Sequence, residues 1–126
     1  MRRTWYHKFK CAISGVVHGI LGHSSFFFHF LAAAVVAVLA AALRCTCLEW
    51  CILLLCIGGV MVTELINSAI ETFVRGFREI ERERFWPALD VAAGAVLLAS
   101  GFAVVIGFVL LGRRLLGLAL NLDLPS

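Results

Sequence analysis

The sequence predicts an all-α membrane protein: an N-terminal amphipathic surface helix followed by three membrane-spanning helices. Composition is the first reason. Of 126 residues, 62% are hydrophobic and 15% charged, and the mean hydropathy is +0.99. A soluble domain carries roughly 45–50% apolar and about 25% charged residues. The second reason is that apolar runs recur at about 26–43, 48–74 and 88–112. Each meets or approaches the roughly 20 residues that cross about 30 Å of hydrocarbon. Residues 1–126 are therefore expected to form a single integral-membrane domain.

The surface helix is expected over about 5–22, WYHKFKCAISGVVHGILG. Tyr6, Phe9, Ile13, Val16, Val17 and Ile20 fall on one side, and His7, Lys10, Ser14 and His18 on the other. That is the pattern of a helix lying in the membrane interface, whether as an anchor or with a further role. Gly15, Gly19 and Gly22 weaken it, so close approach to lipid or to a neighbouring helix is the reason to have them. The first span, FFFHFLAAAVVAVLAAAL, is interrupted only by His29. A cleaved signal peptide competes weakly, because the apolar run starts late and Arg44 and Cys45 follow it in place of a cleavage site.

The second span leads into the polar face discussed below. The segment after it, Arg75 to Arg84, alternates in charge sign. It is either a solvated helix end laced with ion pairs or a set of cations and acids that meets nucleotide phosphates. Pro87 suits the first turn of the third helix, and Asp90 follows near the same interface. Small residues recur every four positions at Ala33, Ala37 and Ala41, and at Ala95, Ala99, Ala103 and Gly107. Such stripes let helices approach closely in lipid, within one chain or between copies.

Basic residues cluster before the first span and after the second, which places the N-terminus and the Arg75–Arg84 loop in the cytoplasm. The C-terminus then lies outside, although Arg113 and Arg114 weigh against it. A formal charge of +3 is too small and dispersed for nucleic acid. Cys11, Cys45, Cys47, Cys51 and Cys56 are irregularly spaced; small buried hydrophobes are a better reading of them than a metal site.

Glu64, Asn67, Ser68 and Glu71 stand at i, i+3, i+4 and i+7 and so share one face of the second span. Carboxylates within a membrane helix mark a functional site by default. Two such acids can divide phosphoryl transfer between them, one removing a proton from a hydroxyl and the other holding the metal that bridges phosphates. Glu64 lies deeper and Glu71 about two turns nearer the cytoplasm. Asn67 and Ser68 are placed to orient them. An inter-helix polar zipper fits the same geometry, whereas a channel lined by the acids has no other support. No glycine-rich phosphate loop occurs, so any nucleotide must be held by side chains on helices.

The octad Glu64-Leu-Ile-Asn67-Ser68-Ala69-Ile70-Glu71, followed by Ala88-Leu89-Asp90, resembles the bacterial integral-membrane diacylglycerol kinase and undecaprenol kinase family. The family pattern is Glu-x-x-Asn-[Ser/Thr]-Ala-Ile-Glu, then Ala-Lys-Asp about eighteen residues on. Phe9-Lys10-Cys11-Ala12-x-x-Gly15 and Phe26-x-x-His29 add to the resemblance, which covers nearly the whole chain. It implies a homotrimer with composite active sites between neighbours. It also implies an ATP-dependent lipid kinase that uses Mg²⁺ in the plasma (inner) membrane and phosphorylates diacylglycerol or undecaprenol. By the resemblance, Glu64 matches the catalytic base, Glu71 a metal ligand, Asn67 the motif asparagine and Asp90 the nucleotide-side aspartate. Glu81 and Arg82 are expected beside the nucleotide, with Ser68 and Lys10 in support.

Four positions depart from the family pattern. The lysine before the aspartate is Leu89, an aspartate four residues after the metal-binding glutamate is Arg75, a second metal-ligand glutamate is His23, and a tyrosine beside the nucleotide is Cys11. One consequence is a relocated cation, Arg75 taking over from the lost lysine, with His23 as a replacement ligand. The other is a weakened or inactive member serving as a membrane scaffold or lipid-binding protein. The Val91-Ala92-Ala93-Gly94-Ala95 run and Phe26-x-x-His29 look closer to the undecaprenol branch.

Overall fold

The computed structural model describes residues 4–121. It is all-helical: α1 (Trp5–Gly22), α2 (Ser25–Ala42), α3 (Cys47–Arg75), a single turn α4 (Glu79–Arg82), a 3₁₀ turn (Glu83–Phe85) and α5 (Trp86–Ala119). Ser25–Ala42, Cys47–Arg75 and the helical stretch Glu79–Ala119 are each long and apolar enough to cross a membrane.

The helix ends follow from local chemistry. Thr4 starts α1 by accepting the His7 N–H at 3.4 Å. At the start of α3, Thr46 and Glu49 form a reciprocal capping box. The Glu49 N–H donates to Thr46 Oγ1 at 3.2 Å and the Thr46 N–H to Glu49 Oε2 at 2.8 Å. α2 ends in a left-handed residue, Arg44 at φ 54°. The Cys45 N–H reaches back to the Ala40 carbonyl and the Arg44 N–H to Ala41. That is a Schellman closure with arginine where glycine is usual. Pro87 lies in the first turn of α5, where its missing N–H costs nothing. α5 continues to Ala119, past the expected end of the third span, and Arg114 within that extension is buried.

α3 is the central helix, packed against α5 along most of its length and against α2 and α1 over shorter stretches. The ends of α3 and α5 that meet at the 76–85 connection also carry α1 and the start of α2, so one end of the bundle gathers them all. At the α1–α3 contact a Cβ on Gly19 would stand 2.6 Å from Leu65 Cδ2, the movable end of a flexible side chain; Gly15 and Gly22 face open space.

Among the described residues the apolar core is thin: Phe26, Ala40, Leu53, Val60, Val74 and Ala92. The small-residue stripes lie largely on the packed faces, with Ala33, Ala37, Ala99, Ala103 and Gly107 half-buried and only one end of each stripe at the margin. Ala40 is buried and Ala41 exposed, and Ala92 is buried while Ala95 is exposed. None of the five cysteines is buried, against the expectation of buried small hydrophobes: Cys11, Cys47 and Cys51 are exposed and Cys45 and Cys56 half-buried, and the buried seam of α3 passes through Leu53 and Val60 instead. All five cysteines are free, and no cluster of metal-binding side chains forms among the described residues.

Candidate functional site

The polar face of α3 is turned inward. Glu64, Asn67 and Ser68 are all buried, at 5%, 8% and 2% exposure. Glu64 meets the first turns of α2, where Ser25 and His29 stand one turn apart on the same face. Ser25 Oγ donates to Glu64 Oε1, and His29 Nε2 lies 3.5 Å from Glu64 Oε2. Phe26, fully buried, seals the neighbouring position.

Two turns further along α3 the environment opens. The Glu71 side chain is 36% exposed. Its Oε1 accepts the Asn67 amide at 3.2 Å. Its Oε2 has two basic neighbours, His23 Nδ1 at 3.9 Å and Arg75 Nη2 at 3.7 Å. His23 comes from the two-residue link between α1 and α2, whereas Arg75 is one turn on from Glu71 along α3. The site thus grades from a closed carboxylate to an open one.

Two polar atoms remain unspent: Asn67 Oδ1 and Ser68 Oγ are buried with no hydrogen-bond partner. A buried polar atom left without a partner costs about 1–3 kcal/mol. Asn67 also borders an apolar cavity of about 510 Å³ between α3 and α5, lined by Thr63, Ile66, Ile70, Pro87 and Val91 among others.

Glu64, Asn67, Ser68, Glu71, His23 and Arg75 are therefore brought together within one chain. Lys10, Glu81 and Asp90 are exposed, and no hydrogen bond or ion pair links them to the cluster. Arg82 folds back on α3, its Nε donating to the Phe77 carbonyl and its Nη2 to the Arg75 carbonyl, both at 2.9 Å. It closes the end of the helix that carries Glu71. Leu89 is half-buried near the start of α5.

Sequence reasoning missed Ser25 altogether and gave no role to His29. The signal for His29 was its position as the one polar interruption of an apolar run. It also missed a second polar site at the opposite end of α3. There Arg114, 5% exposed, donates from Nε to Glu49 Oε2 at 2.8 Å.

A family model for prokaryotic diacylglycerol kinase matches residues 10–111, which include every member of the Glu64–Glu71 cluster. The chain belongs to the prokaryotic diacylglycerol kinase family. Within that family it is similar to an undecaprenol kinase of Bacillus subtilis, 30% identical over 106 residues, covering 84% of this chain and 86% of the relative. It is also similar to a diacylglycerol kinase of Synechocystis sp., 33% identical over 115 residues, 87% of this chain and 63% of that longer relative. No solved structure matches the chain. Membership makes this a multi-pass membrane protein of a lipid kinase family, and the helices have the required length and apolarity.

Proposed function

We propose that this member is an ATP-dependent kinase that phosphorylates the hydroxyl of diacylglycerol or undecaprenol at the cytoplasmic face of the plasma membrane. The observation that carries the reading is the graded pair of carboxylates on α3, Glu64 enclosed at 5% exposure and Glu71 open, with Asn67 bridging toward Glu71. A base for a lipid hydroxyl belongs at membrane depth, and an acid that meets a nucleotide belongs at the water side.

The donor set near Glu71 fits Mg²⁺ bound together with a nucleotide. Mg²⁺ is commonly held by one or two carboxylates plus substrate phosphates. Glu71 supplies a carboxylate, and the unpartnered Asn67 Oδ1 supplies a second hard oxygen nearby. His23, an imidazole, is a softer donor and a poorer ligand for this ion. When bound, the ion would neutralise phosphate charge. Glu64 takes the proton from the lipid hydroxyl as its oxygen attacks the terminal phosphorus of ATP, the bond from that phosphorus to the bridging oxygen breaks, and ADP leaves. Arg75, one turn beyond Glu71 and 69% exposed, faces the same phosphates and supplies a cation that Leu89 does not. Asp90, Glu81 and Lys10 stand outside the single-chain cluster, and in this reading a homotrimer brings them to a neighbour's site.

A second reading has one observation in its favour. Glu71 Oε2 faces two basic side chains of the same chain, Arg75 at 3.7 Å and His23 at 3.9 Å. That arrangement suits an inactive member serving as a scaffold or lipid-binding protein. Phosphate transfer from Mg-ATP to each alcohol in mixed micelles separates the readings. The kinase phosphorylates at least one alcohol and Glu64→Gln abolishes the activity. A scaffold phosphorylates neither and gains no thermal stability from millimolar Mg-ATP.

A further inference from the structure

The described site contains two groups with no assigned task, Ser25 and His29, and both touch the same carboxylate. We propose that they are the positioning residues of Glu64, holding the general base in the orientation that receives the substrate proton. This rests on the kinase reading above and extends it to residues on a different helix.

The geometry supports it in three ways. Ser25 and His29 are i and i+4 on α2, so a single helix face delivers both. They address different oxygens, Ser25 Oγ donating to Oε1 and His29 Nε2 lying 3.5 Å from Oε2, so together they fix the plane of the carboxylate. A carboxylate accepts at about four lone-pair sites. Two held contacts therefore leave capacity for an incoming hydroxyl.

The order of the three groups matters. A serine nucleophile needs a base against its oxygen and an acid behind that base. Here the acid is in the middle, touched by serine on one side and histidine on the other. Ser25 is thus arranged as a donor that steers Glu64, not as a nucleophile. Rigid anchoring of this kind has a large effect, because a small misplacement of a catalytic group costs up to about 100-fold in rate. Glu64 needs it more than Glu71 does: a long side chain in an apolar bundle has few other polar groups to fix its rotamer.

Steady-state kinetics on the full chain in lipid–detergent micelles test the proposal. Ser25→Ala and His29→Ala are each expected to lower kcat about 10- to 100-fold, with KM for ATP and for the lipid nearly unchanged. Ser25→Thr, which keeps the hydroxyl, is expected to recover most of the loss. Unchanged kcat in both alanine variants overturns the proposal while leaving the kinase reading intact. So does a loss that Ser25→Thr fails to recover and that tracks a lowered Tm, which marks a packing role alone. A wild-type chain with no activity toward either alcohol overturns the kinase reading and this proposal with it.

Discussion

In the proposed kinase Glu71 is the pivotal residue, because its Oε2 faces two basic side chains and would also face any bound cation. Arg75 at 3.7 Å and His23 at 3.9 Å both lie at Oε2. If Arg75 has become the phosphate-facing cation, Arg75→Ala lowers kcat/KM for ATP about 100-fold, the usual cost of losing one aimed charge. Leu89→Lys in that variant restores part of it, and initial-rate measurements at fixed lipid check both. Unchanged activity in Arg75→Ala removes the relocation idea. His23 gives the complementary prediction. His23→Glu places a second carboxylate beside Glu71 and is expected to lower the Mg²⁺ concentration needed for half-maximal rate, since carboxylate suits Mg²⁺ better than imidazole does. A magnesium titration measures it.

Among the elements, α3 is secured at both ends by different means. Arg82 closes its C-terminal end by donating to two carbonyls. At the other end Glu49 serves twice, as the return half of the capping box and as the acceptor of Arg114. Removing one partner of a buried ion pair costs about 3–5 kcal/mol, and the low end applies because Glu49 keeps 20% of its side chain exposed. Arg114→Leu is therefore expected to lower the Tm measured in detergent, without changing the KM for ATP, since the pair lies far from Glu71. The α1–α3 contact is more tolerant. Gly19→Ala meets only the flexible end of Leu65, so it is expected to leave stability nearly unchanged. Gly19→Leu pushes α1 away from α3, and Leu65→Ala restores the contact by making room; limited proteolysis of α1 reads both.

For the whole molecule the dominant fact is exposed apolar surface. Leu55 at 76%, Val91 at 74% and Phe108 at 77% are typical of faces that lipid or further copies of the chain must cover. The native cysteines report orientation without foreign tags. Cys11 is exposed on α1, and Cys47 is exposed at the opposite end of the bundle. With the N-terminus cytoplasmic, a membrane-impermeant maleimide added to intact cells is expected to label a chain retaining only Cys47 and to spare one retaining only Cys11. Reversed labelling overturns the orientation. Cys45, near Cys47, is expected to react more slowly at neutral pH. Burial, and then the nearby Glu49 carboxylate, pushes its thiol pKa up, so less of the reactive thiolate is present until the pH rises.

Much of this was legible in one dimension. Hydrophobic length identified the three spans, because crossing hydrocarbon demands long apolar helices whatever they pack against. The same rule made Glu64 and Glu71 conspicuous, since a membrane helix has no ordinary use for a carboxylate. Helical periodicity then put Asn67, Ser68 and Arg75 on the side of the two acids. What periodicity could not supply was the partner across the helix boundary. Ser25 and His29 reach Glu64 from 39 and 35 residues earlier in the chain, and Glu49 meets Arg114 from 65 residues away. Nothing in local spacing encodes which turn of one helix stands beside which turn of another. That register comes from the packing of α2 and α5 on α3. It was the packed bundle, and no local signal, that joined a serine, a histidine and a glutamate into one group and left Asp90 outside it.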